Sequence, residues 1–199
     1  MKIKKFETLS NGLCRITPNE GAVFYVRKEY LSSISFDEIY AGVEFNEDQT
    51  SELLDAGFAA LAELKAVSYL ARSEQCRFKL TNKLIQKGFE KKYIDQCLDF
   101  LESMNLLSDS RYAAAWLNTR KTNHYEGSTK LRAELSARGI SREVSAKALD
   151  EFFLQNPEEE LCQKAYEKLS RSKSGDKLIS SLLKAGFSYK LVKQILPAD

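Results

Sequence analysis

The chain has 199 residues, 43% of them apolar and 29% charged, with 30 Lys or Arg against 28 Asp or Glu. This balance fits a folded protein built as one domain or as a string of small ones. No apolar run approaches the roughly 18 residues that cross a bilayer, and no apolar block follows the basic start as in a signal peptide, so a cytoplasmic protein without a membrane partner is expected.

Residues 1–57 are expected to form a small N-terminal segment with a β-hairpin. Ile3, Phe6, Leu9, Leu13, Cys14 and Ile16 are separated by polar residues and Gly12, which does not read as helix. Pro18, Asn19 and Gly21 form a turn cluster before the β-rich run Ala22–Val26, so the hairpin is placed at about Cys14–Val26. Tyr30–Ile39 reads as a short helix or turn. Asn46 is placed to cap a helix starting near Glu47.

From Phe58 the pattern is helical. Phe58, Leu61, Ala62, Leu64, Ala66, Val67 and Leu70 form a broad apolar stripe. A second helix, Arg77–Gln86, carries Leu80, Leu84 and Ile85, and a third, Lys91–Met104, carries Ile94, Cys97, Leu98, Leu101 and Met104. These spacings fit a period of 3.6 residues. Ser108 or Asp109 caps the next helix, which carries Tyr112, Ala113, Trp116 and Leu117. Both aromatics are read as core or helix-docking residues. Ser128 and Ser141 are placed as the next caps. Pro157 marks a boundary, and Glu158–Glu160 suit a helix start by charge. Pro197 ends the last helix.

A spacing recurs along this region. Leu80, Leu84, Gly88 and Phe89 match Leu131, Leu135, Gly139 and Ile140, and then Leu178, Leu182, Gly186 and Phe187. The glycines lie 51 and 47 residues apart, and each copy continues into another apolar helix at Ile94, Val144 or Val192. Gly88, Gly139 and Gly186 are therefore read as structural turns that close helices. The expected fold class is mainly all-α, with tandem repeats of three-helix units preceded by a small β-containing N-terminal segment. The repeats are placed at 58–109, 110–156 and 157–199.

Little here suggests catalysis. No phosphate-binding glycine signature is present. The four cysteines have no Cys-x-x-Cys spacing and the one histidine, His124, stands alone, so no metal site, cofactor or catalytic residue is expected. The thiols are expected to be free and to act as small apolar fillers. His124 reads as a surface-loop residue. Charge is more informative: residues 1–65 hold 7 Lys or Arg against 11 Asp or Glu, while residues 66–199 hold 23 against 17. Basic side chains recur in each copy. Arg72, Arg77, Lys79, Lys83 and Lys87 lie in the first; Arg111, Arg120, Lys121, Lys130, Arg132 and Arg138 in the second; Arg171, Lys173, Lys177 and Lys184 in the third. Repeated cations suit a phosphate backbone or a filament surface, whereas any one of them can simply cover apolar surface with its stem.

Three stretches carry a family likeness. Lys79–Leu84 followed by Lys87-Gly88-Phe89, then Leu106–Ala113 with Trp116 and Arg120, resembles the first repeat of RecX, the bacterial regulator of the RecA recombinase. Gly127-Ser128, Lys130–Arg132, Glu134-Leu135 and Arg138–Ile140 resemble its second repeat. Lys177-Leu178, Leu182 and Gly186–Ser188 are similar to its last. The resemblance covers roughly residues 60–196. It implies a non-enzymatic, all-helical modular protein of DNA repair, recombination and the SOS response. Such a protein binds the RecA–DNA filament and limits its growth, ATPase and strand exchange. The implied partners are RecA and single-stranded DNA, with double-stranded DNA as a further partner, and a monomer is expected. Contact candidates are Arg72, Arg77, Lys79, Lys83, Arg111, Arg120, Lys121, Lys130, Arg132, Lys177 and Lys184. Cys76 and Lys79 stand where the family often has Ser and Glu, which removes a capping box and should weaken that helix start. The alternative reading is a helical adaptor that binds another protein without touching DNA.

Overall fold

The computed structural model of the chain describes residues 1–196, apart from the side chain of Asn123. It divides into two units, residues 1–107 and the part beginning at Ser108. Pro197, read as the end of the last helix, lies outside the described residues.

The first unit opens with an antiparallel sheet of β1 (Ile3–Thr8), β2 (Cys14–Pro18) and β3 (Phe24–Val26), in that order. The β2–β3 hairpin lies where the sequence places it, with Cys14 opposite Val26 and Ile16 opposite Phe24. β1 was not expected as a strand. Its register shifts between Ile3 and Lys5, so the extra residue breaks the two-residue alternation that marks a strand in sequence. Two single-turn 3-10 segments, Lys28–Tyr30 and Phe36–Glu38, then lead towards the first long helix.

That helix, α1 (Glu47–Leu70), starts with a reciprocal cap. The Gln49 amide donates to Asn46 Oδ1 at 2.9 Å, and the Asn46 amide donates to Gln49 Oε1 at 3.2 Å. α1 runs unbroken across residues 57 and 58, where the sequence suggested a division between segments. Of the stripe expected on it, only Ala62 and Ala66 are buried. Ala56, Ala59, Ala60, Ala62 and Ala66 are inward, while Phe58 is 49% exposed and Leu61 52%. Leu64 and Val67 are exposed as well. The reason is packing distance: small side chains let neighbouring elements approach the helix closely, so the alanine face takes the core. Gly57 shows the same closeness, since a Cβ there would lie 3.0 Å from the Phe24 ring.

α2 (Arg77–Ile85) and α3 (Lys91–Ser103) complete this core, burying Leu80, Leu84, Ile94, Leu98 and Leu101 together with Ile3, Ile16, Val26 and Leu53. Cys76 holds the N-cap position of α2 without a side-chain cap hydrogen bond. A buried polar group crosses the same core. Arg27 donates to Glu63 through Nε at 2.7 Å and Nη2 at 2.6 Å, and the Tyr30 hydroxyl donates to the same carboxylate at 2.7 Å. The Arg27 guanidinium lies 4.4 Å from the Phe100 ring centroid. Burial, followed by the hydrogen bond to Glu63, pushes the Tyr30 hydroxyl well above its ordinary pKa. Since Glu63 is only 4% exposed, this cluster ties the residues after β3 to the middle of α1.

The second unit contains α4 (Asp109–Asn123), α5 (Ser128–Ser136), α6 (Arg142–Gln155), α7 (Glu158–Ser170), α8 (Gly175–Lys184) and α9 (Tyr189–Ile195). Its core holds Tyr112, Leu117, Leu131, Leu135, Leu149, Phe152, Leu161, Leu178, Leu182 and Val192. Ser108, Ser141 and Ser188 accept amide hydrogen bonds as N-caps. Ser128 does not: Gly127 is the N-cap, and the Ser128 amide donates to Glu158 Oε1 at 2.7 Å. The first-turn carboxylate of α7 thus serves an end of α5. Trp116, read as a core or helix-docking residue, is half-buried, with the Arg138 guanidinium 4.5 Å from its ring centroid.

The recurring glycine step has one geometry throughout. Gly88, Gly139 and Gly186 have φ of 86°, 77° and 94°. The next amide reaches back five residues each time: Phe89 to the Leu84 carbonyl, Ile140 to Leu135, and Phe187 to Leu182. This is a left-handed helix stop with an apolar residue beyond it. Among the described residues, no helix is long and apolar enough to cross a membrane.

Candidate nucleic-acid interface

The structure places the expected contact residues in different settings. Several are occupied in holding helices together. Arg77, at the start of α2, reaches Asp99 and Glu102 of α3, each at 2.7 Å, and Asp95 at 3.8 Å. Three carboxylates around one guanidinium make it a brace between α2 and α3, with little charge left for a phosphate. Lys83 donates to Gln75 Oε1 at 2.8 Å and lies 5.0 Å from the Tyr69 ring centroid. Lys79 and Arg111 are half-buried in the first turns of α2 and α4. Arg72 is exposed just beyond α1.

In the second unit, Arg120 and Lys130 share one carboxylate that sequence reading did not single out. Glu126 is 5% exposed. Arg120 donates to it through Nε at 2.7 Å and Nη2 at 2.5 Å, and Lys130 Nζ lies 2.8 Å away. Burial works to raise the Glu126 carboxyl, but the bonds from Arg120 and Lys130 outweigh it and hold it below the ordinary carboxylate range. Glu126 therefore stays ionised and fixes both cations. Lys121, Arg132, Lys177 and Lys184 are exposed.

Lys130 and Lys184 are brought to one place. They line an open cleft of roughly 300 Å3 together with His124, Tyr125, Lys168 and Lys173. Glu126 and Ala185 of its lining each precede a glycine, and those two glycines meet. The Gly127 amide donates to the Ala185 carbonyl at 2.9 Å and the Thr129 amide to the Gly186 carbonyl at 3.3 Å. A Cβ on Gly127 would lie 2.4 Å from the Gly186 carbonyl oxygen, and a Cβ on Gly186 would lie 2.4 Å from Lys130 Cβ. Only glycine at both positions lets the start of α5 rest on the turn after α8. Sequence reading assigned Gly186 to a turn, noted Gly127 only within a family motif, and did not single out Tyr125 or Lys168. Gly127 is extended, so no local conformational need marks it. Its requirement comes from a residue 59 positions away.

The residues match known proteins. A model of the first three-helix domain of RecX matches residues 62–101, and one of the second three-helix domain matches residues 108–149. The regulatory protein RecX of Treponema pallidum is 36% identical over 139 residues, covering 69% of this chain and 85% of that relative. The chain belongs to the RecX family. The RecX regulatory protein of Clostridioides difficile is 28% identical over 183 residues, covering 86% of each chain. A crystal structure of a regulatory protein RecX superposes with a TM-score of 0.77 at 24% identity, covering 98% of both chains. That likeness establishes the RecX fold, with its small sheet ahead of the helical modules. The family is one of regulatory proteins.

Proposed function

We propose that this chain regulates the RecA recombinase by binding the RecA–DNA filament and limiting its growth, ATPase and strand exchange. The observation that carries this reading is the 36% identity to a regulatory RecX protein across most of that relative. The helical part is read as three tandem copies, 58–109, 110–156 and 157–199, supported by the shared turn at Gly88, Gly139 and Gly186. The exposed cations Arg72, Lys121, Arg132, Lys177 and Lys184 are the better contact candidates, since Arg77 and Arg120 are engaged by carboxylates. The work is binding, carried out in the cytoplasm.

The test is RecA-driven ATP hydrolysis on single-stranded DNA, with and without the protein, at two salt concentrations. Suppression at substoichiometric amounts is expected, because blocking a growing end affects many subunits at once. Unchanged hydrolysis with no detectable filament binding at either salt would remove RecA as the partner. A helical adaptor would then be the reading, and the exposed apolar side chains Phe58 and Leu61 on α1 would be the place to look for its protein partner.

A further inference from the structure

The cleft over the Gly127–Gly186 joint gathers positive charge that the fold itself does not neutralise. Lys130 extends from α5, Lys168 from the last turn of α7, Lys173 from the α7–α8 connection and Lys184 from the end of α8. The one carboxylate in the lining is Glu126, and Arg120 and Lys130 already occupy it. Among the described residues, Lys168, Lys173 and Lys184 have no carboxylate partner. Lys173 donates instead to the Ser181 hydroxyl at 2.8 Å. Like charges held together on a rigid frame raise the local potential and favour an anion between them.

The shape narrows the class of anion. The cleft is open and cations stand on several of its sides, which suits a chain passing through better than a small ion held in a closed pocket. One wall is aromatic: Tyr125 is half-buried, and Lys168 Nζ lies 5.9 Å from its ring centroid. An aromatic ring beside backbone-binding cations is how proteins hold unpaired bases without reading sequence. A duplex keeps its bases stacked on one another and cannot offer them to the ring.

We infer that this cleft binds a short stretch of single-stranded nucleic acid, with Lys168, Lys173 and Lys184 taking backbone phosphates and Tyr125 stacking against one base. The inference rests on the nucleic-acid part of the function proposed above and does not require RecA. It places the contact at one site, built between the second and third copies.

The test uses the full chain without RecA, with fluorescence anisotropy of a labelled oligothymidine across a salt series. The triple variant Lys168→Gln, Lys173→Gln, Lys184→Gln should bind at least about tenfold more weakly at low salt. Its log–log salt slope should be shallower by about 2, from three lost contacts at about 0.7 each. Tyr125→Leu should weaken oligothymidine binding by about tenfold and leave binding to an abasic strand unchanged, while Tyr125→Phe keeps the wild-type affinity. A control triple, Lys4→Gln, Lys28→Gln, Lys147→Gln, removes equal charge elsewhere and should keep the wild-type slope. The inference is overturned if the cleft triple binds like wild type, if the control loses as much, or if the wild-type chain binds no oligothymidine. The ATPase assay separates the two readings. Suppression of hydrolysis by a chain that binds no oligothymidine leaves the RecA regulator standing and removes the cleft. Oligothymidine binding through the cleft without any effect on RecA does the reverse.

Discussion

Replacing Gly127 by Ala tests whether the second unit depends on the backbone contact between α5 and the turn after α8. The backbone at Gly127 has φ −85° and ψ 169°, which alanine adopts freely, so the whole effect is steric. The added Cβ would meet the Gly186 carbonyl oxygen at 2.4 Å, its carbon at 2.5 Å and the Phe187 nitrogen at 2.6 Å. All three are backbone atoms and none can rotate aside. Relief requires α5 to lift away from the turn, which stretches the Gly127–Ala185 and Thr129–Gly186 hydrogen bonds. Overpacking of this kind costs about 1–3 kcal/mol and two net hydrogen bonds about 1 kcal/mol each, for a total of roughly 3–5 kcal/mol. Against a domain stability of about 5–15 kcal/mol this is a large loss. The chain has one tryptophan, Trp116, so urea unfolding followed by its fluorescence reports on the second unit. The midpoint should fall by about 1.5 M or more at an m-value of about 1–2 kcal/mol/M. Gly175→Ala is the comparison. Gly175 has φ +53° and open space around it, so alanine there meets only the left-handed backbone penalty of about 1 kcal/mol. If Gly127→Ala is no more destabilising than Gly175→Ala, the close approach does not exist and the floor of the cleft is wrongly drawn.

Three further outcomes are expected. Glu63→Ala leaves Arg27 buried without its carboxylate and should destabilise the first unit by about 3–5 kcal/mol, whereas Tyr30→Phe should cost only about 1 kcal/mol; thermal melts of the two variants that coincide would refute this. The Glu52 carboxyl accepts from the Ser32, Ser33 and Ile34 amides and the Ser33 hydroxyl. Burial works against its ionised form, but these donors hold its pKa down at about 2, from an ordinary 4.5. A depressed carboxylate stabilises fully above its unfolded value and loses that contribution as pH falls through the folded one. The urea-midpoint gap between wild type and Glu52→Gln should therefore close between about pH 4.5 and 2, and a gap that persists at pH 2 contradicts the assignment. Burial pushes the thiol pKa up to about 12 at Cys97 and about 11 at Cys162, and all four cysteines are buried. A thiol reagent at pH 8 should label almost none in the native protein and all four in urea; rapid native labelling would show that the cores open readily.

The fold was legible where local chemistry decides it. The helices of each copy are announced by apolar spacing, and their ends by glycines whose left-handed backbone is a demand of the turn itself. Asn46, Ser108 and Ser141 announce helix starts because a short side chain caps its own helix. Where partners lie far apart in sequence the reading failed. β1 was hidden by its bulge, Ser128 yielded its expected capping role to Gly127 and to Glu158 from another helix, and half of the α1 stripe proved exposed. The candidate site shows the same limit more sharply. A cation in a sequence carries no sign of whether a carboxylate will meet it, so Arg77 and Arg120 read like Lys184 until the fold pairs them.

What the sequence by itself determined was the helical class and the glycine stop, because each rests on residues within about ten positions of one another, and the family, because short motifs of that kind recur from about residue 60 to residue 196. What only the tertiary structure decided was which cations remain unpaired, and that Lys130, Lys168, Lys173 and Lys184 share one cleft. Charge and shape at a surface depend on which distant segments meet, and here that meeting turns on two glycines, Gly127 and Gly186, whose close approach no local pattern records.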